Sequence, residues 1–160
     1  MAKDGGRLPP RWFVVTAWHV HRWIFRFTGG RKGLWPPRPE KWGALRLTTK
    51  GRRSGEPRSV IVGYYEDGSD LISMAMNGWG EAEPAWWLNL QAHPKATVEL
   101  AGGIRRDVLG RAAVGQERER LWQRWLELDK NLDGYAARRS HETAVVVFEP
   151  SLEAGRPSTT

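Results

Sequence analysis

The sequence predicts an α+β domain built on a small barrel of about six short, mainly antiparallel strands, with helices appended to it. Short apolar runs recur between residues 44 and 148, and no regular crossover helices separate them. Two further segments follow the helical period. The chain has 160 residues, is 40% hydrophobic and contains no cysteine. It is therefore large enough for one well-filled core, without disulfides or thiolate metal sites.

The N-terminal residues precede the barrel. We expect residues 1–10 to form a flexible arm and residues 11–28 an amphipathic helix that ends at Gly29-Gly30. At about 100° per residue, its apolar side chains fill a broad arc opposite a stripe of arginines. The helix either covers the barrel, lies on a membrane surface, or forms a lid or oligomer contact. Its charges exclude a membrane span, and no small-residue cleavage site marks a secretory signal.

Residues 29–150 are predicted to form the barrel, and residues 151–160 a loose tail. A hairpin tip at Asp67-Gly68 joins the second and third strands, and Pro84 lies in the first turn of a short helix. The expected strands are 44–50, 58–66, 71–76, 96–100, 105–114 and 144–148, and the expected helices are 84–93 and 116–132.

The net charge of +7 is unevenly distributed. Residues 1–58 hold 14 Lys/Arg against 3 Asp/Glu, whereas residues 59–160 hold 11 against 15. The surplus in the N-terminal third predicts an anionic partner, which is a nucleic acid, a membrane surface or a phosphorylated cofactor. Nucleic acid is the weakest of the three, because the basic third lacks a nucleic-acid-binding signature motif.

The basic turn "KGRRSGEPR" (50–58) is the strongest candidate site for an anion. Gly51 and Gly55 allow the backbone to approach a ligand closely, and arginines bind phosphate or carboxylate through two hydrogen bonds. The turn matches neither a P-loop, nor a dinucleotide-binding motif, nor a nucleophile elbow. The alternative is a solvated hairpin end.

The stretch "MNGWGEAEPAWWLNLQAHP" carries a second signal. Adjacent residues on a helix diverge by about 100°, so Trp86 and Trp87 cannot both face one core, and one of them is expected to line a cavity. The alternative is that both are core anchors. The four histidines show no ligand spacing, and we expect no metal site.

These stretches together resemble the deazaflavin-dependent nitroreductase family, which comprises split-β-barrel flavin/deazaflavin oxidoreductases. The resemblance rests on "LTTKGRRSGEPRSV", "NGWGEAEPAWWLNLQAHPKATVEL" and "YAARRSHETAVVVFEP", and it covers roughly residues 20–150. It implies an FMN-binding-like split barrel and coenzyme F-420, whose tail carries a phosphate and a chain of glutamates. In that family the basic turn holds the anionic tail.

The resemblance also implies site residues. Tyr135 would be the catalytic residue, hydrogen-bonding or protonating the acceptor. The implied cofactor contacts are Lys50, Arg52, Arg53, Gly55, Arg58, Ala75, Met76, Asn77, Gly78, Pro84, Trp86, Trp87 and Asn89. The implied acceptor pocket is formed by Trp18, Trp23, Trp79, Trp87 and Tyr135.

The expected activity is hydride transfer from reduced coenzyme F-420 to a quinone, an enone or a nitroaromatic. Two alternatives stay open: an FMN-dependent oxidoreductase of the same barrel, and a non-catalytic carrier of a cofactor or lipid. The expected partners are an apolar acceptor, a second copy in a homodimer, and a membrane touched through residues 11–27. The expected location is the cytoplasm, with peripheral contact at the inner face of the plasma membrane.

Overall fold

The computed structural model describes residues 33–152, together with residues 10, 12 and 16. The predicted flexible arm, most of the predicted helix 11–28 and most of the predicted tail lie outside the described residues. So do Trp18 and Trp23, which the resemblance placed in the acceptor pocket.

Within residues 33–152, six strands and three α-helices follow one another. The strands are Gly43–Lys50 (β1), Pro57–Asp67 (β2), Asp70–Met74 (β3), Lys95–Glu99 (β4), Arg105–Ala112 (β5) and Val145–Pro150 (β6). The α-helices are Ala85–Ala92 (α1), Gly115–Leu128 (α2) and Leu132–Ala136 (α3), and a short 3-10 helix spans Ala101–Gly103.

The strands close into a barrel in the order β1-β2-β3-β6-β5-β4, and every neighbouring pair is antiparallel. This confirms the predicted fold class. Pairing along β2 is uneven. β2 pairs with β1 from Pro57 to Tyr64, but with β3 only from Tyr65 to Asp67. The barrel is closed, but the edge of β2 before Tyr65 has no β3 partner in the described part, and a cavity lies beside this edge.

Two apolar cores share the strands because successive side chains of a strand point to opposite faces. Tyr64 belongs to the core inside the barrel, together with Trp86 and Leu90 of α1. Its neighbour Tyr65 belongs to a second core beneath α2 and α3, where its ring meets that of Trp125 edge-on at 5.1 Å between centroids. A strand buried on both faces is almost continuously apolar, as β6 is in "VVVF".

The predicted helix 116–132 is wrong at its C-terminal end, because it is divided into α2 and α3. Asp129 ends α2 with φ −141° and ψ 98°. Its Oδ1 accepts a hydrogen bond from the backbone N–H of Asn131 at 3.0 Å. Such a local bond competes with the helical hydrogen bonds. The third strand likewise ends at Met74, two residues before the predicted end.

Candidate active site

A cavity of about 640 Å³ opens beside the unpaired edge of β2. Its walls come from the β1–β2 turn, β2 itself, the end of β3 with the loop that follows it, the start of α1, and the C-terminal end of α2, with Trp42 from the segment before β1. The cavity therefore brings together the basic turn and the stretch 76–94, which are separate in the sequence.

One end of the cavity is the basic turn. The Gly51 N–H donates to the carbonyl of Glu56, and the Gly55 N–H donates to the carbonyl of Gly51, each at 2.8 Å. Gly55 has φ +73°, a conformation that favours glycine. A Cβ added to Gly51 would lie 2.7 Å from Ser54 Oγ. The close approach at Gly51 and the backbone conformation at Gly55 therefore both favour glycine in this turn.

Asn89 of α1 anchors the turn from below and is only 3% exposed. Its Oδ1 accepts hydrogen bonds from the backbone N–H of Arg52 at 3.1 Å and from the Arg52 guanidinium at 3.3 Å. Its Nδ2 donates to Thr49 Oγ1 at 3.1 Å. One buried amide thus fixes both the backbone of the turn and one of its arginines.

Arg53 and Arg58 line the same end of the cavity, and both are exposed. Within residues 33–152 neither guanidinium has an ion-pair partner or a side-chain hydrogen bond. Two uncompensated guanidinium groups on one wall, held by a rigid turn, favour an anion with several oxygens. This arrangement fits the phosphate and carboxylates of a cofactor tail.

The other end of the cavity is aromatic. Trp42, Trp79 and Trp125 line it together with Met74. The Trp42 ring lies against the backbone of Gly63, where an added Cβ would come within 3.2 Å of ring atom Cε3. A glycine in a strand often marks such a close approach. This end can receive a flat apolar ring.

Trp79 has φ +59°, which is uncommon for a residue other than glycine. Its ring stacks on Tyr135 at 5.6 Å between centroids and 8° between planes. Backbone strain of this kind persists only where packing holds it in place. The stack with Tyr135 supplies part of the packing that holds Trp79 in this conformation.

A buried arginine holds the loop that carries this wall. The Arg139 guanidinium donates to the carbonyl of Ala75 at 2.9 Å, to Thr143 Oγ1 at 2.9 Å and to Glu83 Oε1 at 3.2 Å. Its side chain is fully buried. His141 Nε2 lies 2.7 Å from the same oxygen of Glu83. The network ties the two ends of the segment 75–83 to the chain before β6.

Most of the site residues implied by the resemblance meet in this cavity. Those that line it are Arg52, Arg53, Arg58, Met76, Asn77, Gly78, Pro84, Trp86 and Asn89, with Trp79 from the acceptor set.

Five others lie elsewhere. Lys50 and Gly55 face a second, shallower depression of about 440 Å³ on another side of the turn. Ala75 and Trp87 are buried in the core inside the barrel. Tyr135 is 8% exposed behind Trp79 and is not among the lining residues. Burial raises the pKa of its phenol above the ordinary value.

Sequence reasoning missed several lining residues, among them Trp42, Gly63, Trp125 and Asp129. Gly63 interrupts an otherwise β-rich run, and this signal could have indicated a close contact. Trp125 follows the apolar stripe of α2 and therefore looks like an ordinary core residue. Asp129 reaches the cavity only because α2 ends there.

Neither a metal centre nor a membrane span is found in the part of the chain that the structure describes. No three His, Asp or Glu side chains there are grouped so that they could hold a metal ion. No helix there is both long and apolar enough to cross a bilayer.

Comparison with known proteins identifies the family. The family model described as F420H(2)-dependent quinone reductase matches residues 18–150. An F420H(2)-dependent quinone reductase of Mycobacterium tuberculosis is 30% identical over 148 residues, covering 91% of this chain and 97% of the relative.

Two solved structures share the fold. An F420-H2 dependent reductase (FDR-A) has a TM-score of 0.60 and 26% identity, covering 71% of this chain and 96% of that one. A chain described as a domain-swapped dimer has a TM-score of 0.61 and 26% identity, covering 84% of this chain and 99% of that one. The chain therefore belongs to the F420H(2)-dependent quinone reductase family, which confirms the predicted oxidoreductase class and coenzyme F-420 as its cofactor.

Proposed function

We propose that the cavity is the active site, and that it holds reduced coenzyme F-420 at its basic end and a quinone at its aromatic end. The observation that carries this proposal is the division of one cavity into two chemically different ends. Three arginines line the first end, and three tryptophans line the second. A cofactor with a polyanionic tail and a flat apolar acceptor need these two environments side by side.

The arginines account for the tail. Arg53 and Arg58 would bind the phosphate and the glutamate carboxylates, since their guanidinium groups lack partners in the described part. Arg52, already hydrogen-bonded to Asn89, would add a fixed positive charge. Lys50 and Gly55 face the second depression, so their contacts would be with the tail after it has passed over the turn.

The ring would lie between the edge of β2 and the loop that begins α1. Asn77, Gly78, Pro84 and Trp86 line this part of the cavity. The unpaired edge of β2 offers backbone N–H and C=O groups, which a polar heterocycle can satisfy. When bound, reduced F-420 supplies a hydride.

The residues of this chain position the acceptor and exclude water. Stacking between Trp42, Trp79 and Trp125 would hold a flat ring near the cofactor, and the apolar walls would keep bulk water from the transfer. Quinone plus a hydride and a proton gives the hydroquinone, and the proton comes from solvent. Tyr135 would contribute indirectly, by stacking on the ring of Trp79 and supporting it.

Binding to a membrane and to a second copy completes the proposal. Quinones are apolar, and residues 11–27 would touch the inner face of the plasma membrane in the cytoplasm; Trp12 is 68% exposed. A homodimer is supported by the structural relative described as a domain-swapped dimer. Co-sedimentation with anionic vesicles and light scattering test the two expectations. A chain that stays in the supernatant, or has the mass of a monomer, would contradict them.

Anaerobic turnover tests the central activity. We expect the protein to oxidise reduced F-420 with menadione as acceptor, with one hydroquinone formed per cofactor oxidised. Titrating FMN in parallel distinguishes the alternative, because FMN carries one phosphate and no glutamyl tail. Reduction supported by FMN and not by F-420 would overturn the choice of cofactor, while tight binding without turnover would favour a carrier.

A further inference from the structure

We propose that Asp129 makes the acceptor end of the cavity selective for uncharged acceptors and excludes anionic ones. This inference rests on the proposed function, since it concerns the substrate class of the same site. Asp129 is the only carboxylate among the described residues that line the cavity, and the other charged lining residues are Arg52, Arg53 and Arg58.

The end of α2 places the carboxylate. The backbone N–H of Asp129 donates to the carbonyl of Trp125 at 2.8 Å. Its Oδ1 accepts from the Asn131 N–H at 3.0 Å. Both the backbone and the side chain are therefore fixed one helical turn beyond a tryptophan that lines the aromatic end.

Asp129 follows Trp125, which belongs to the aromatic end of the cavity, whereas the arginines belong to the basic end. β2 runs along the cavity from Arg58 to Gly63, a distance of roughly 17 Å for five residues of strand. Trp42 covers Gly63 at the far end. The Trp125 ring meets that of Tyr65, two residues further on. The negative charge of Asp129 and the positive charges of the turn therefore occupy opposite ends of the cavity.

The helix itself strengthens the negative potential at this end. The C-terminus of an α-helix carries a partial negative charge, which basic side chains in the last turn usually offset. α2 is 14 residues long and has no basic residue in its last turn. Within residues 33–152, no ion pair neutralises Asp129. The carboxylate and the helix terminus therefore act in the same direction.

This charge distribution separates cofactor from acceptor. An anionic ligand is attracted to the arginine end and repelled from the aromatic end. A neutral quinone carries no net charge and is not repelled in this way. A fixed like charge in a partly buried site discriminates more strongly than it would in bulk water. Asp129 thus keeps anionic acceptors out of the aromatic end.

The test compares Asp129→Asn with the wild-type chain on two acceptors of similar size. Menadione is neutral, and lawsone carries an acidic hydroxyl that is ionised at neutral pH. We expect the ratio of KM for lawsone to KM for menadione to fall about tenfold in Asp129→Asn, as removal of one nearby like charge predicts. Effects common to both acceptors cancel in the ratio.

Glu119→Gln is the matched control, because it removes one negative charge from the exposed surface of the same helix. It is expected to leave the ratio unchanged. An unchanged ratio in Asp129→Asn, or an equal fall in Glu119→Gln, would overturn the proposal.

A binding measurement separates this proposal from the proposed function. Quenching of tryptophan fluorescence gives the affinity for lawsone and menadione without turnover, with and without oxidised F-420. Tighter lawsone binding in Asp129→Asn supports the selectivity even if the wild-type chain reduced neither quinone, and that result would reject only the proposed activity. Equal lawsone affinity in variant and wild type would reject the selectivity alone.

Discussion

Replacing Asn89 tests whether the basic turn is fixed by α1. Asn89→Ala removes two hydrogen bonds to Arg52 and one to Thr49, of 3.1–3.3 Å, from a residue that is 3% exposed. At about 1 kcal/mol for each bond, the free energy of unfolding should fall by roughly 2–3 kcal/mol. The affinity for coenzyme F-420 should fall as well, because the turn must then be ordered on binding.

Urea denaturation followed by tryptophan fluorescence measures the first effect. With a slope of about 2 kcal/mol/M, the midpoint should shift down by roughly 1–1.5 M. Gln91→Ala is the control, since Gln91 is exposed on the same helix. It should change stability by less than about 0.5 kcal/mol. If Asn89→Ala matched Gln91→Ala in both stability and cofactor affinity, the anchoring role would be refuted.

Three other predictions address the cofactor tail, the cavity wall and the tyrosines. Arg53→Ala and Arg58→Ala should each raise the Kd for F-420 about tenfold, as measured by fluorescence titration. The Kd for an analogue without the tail should rise less. An equal rise in Kd for both ligands would contradict tail binding. Gly63→Ala should displace the Trp42 ring and raise KM for menadione. It should also lower the free energy of unfolding, measured by urea denaturation, by about 1–3 kcal/mol. If neither KM nor the free energy of unfolding changed, the Trp42 ring would be free to move away. Burial raises the pKa of all three tyrosines, that of Tyr64 to about 12. At pH 10 the folded chain should therefore show less tyrosinate absorbance than the chain in urea, and equal absorbance would contradict the burial of the phenols.

The raised pKa values of the tyrosines determine whether the stability of the fold rises or falls with pH. Above pH 10 the unfolded chain loses phenolic protons that the folded chain still retains. The stabilisation from buried neutral tyrosines is therefore fully present below pH 10 and is lost as the pH rises through the folded pKa of Tyr64, about 12. A stability that rises over this interval would contradict the burial of these phenols.

Much of the fold could be predicted because local signals coincide with tertiary structure. Asp67-Gly68 lies where a hairpin turn is needed, and every strand end falls within two residues of the predicted one. The basic turn was recognisable because a hairpin turn does not need four like charges. Periodicity also indicated α2, although not its end, which depends on the Asp129 side chain.

Other features of the site depend on contacts that a sequence pattern does not encode. The prediction that Trp86 and Trp87 cannot both face one core is wrong, because both rings are buried in the core inside the barrel with centroids 6.4 Å apart. Only the docking of α1 decides that Trp86 also lines the cavity. Lys50 and Arg52 are two residues apart, yet the twist of the turn directs them to different depressions. The position of Tyr135 behind Trp79 follows from the short helix α3, which no strong sequence pattern predicts.

The most direct test of the account is a paired measurement on the wild-type chain: binding of reduced F-420 at increasing salt, and its anaerobic oxidation by menadione. We expect the affinity for reduced F-420 to fall as the salt concentration rises, because arginines bind the tail. We also expect one hydroquinone to form for each cofactor oxidised. An affinity that does not change with the salt concentration, together with no oxidation of reduced F-420 by any quinone, would contradict the assignment of the two ends of the cavity.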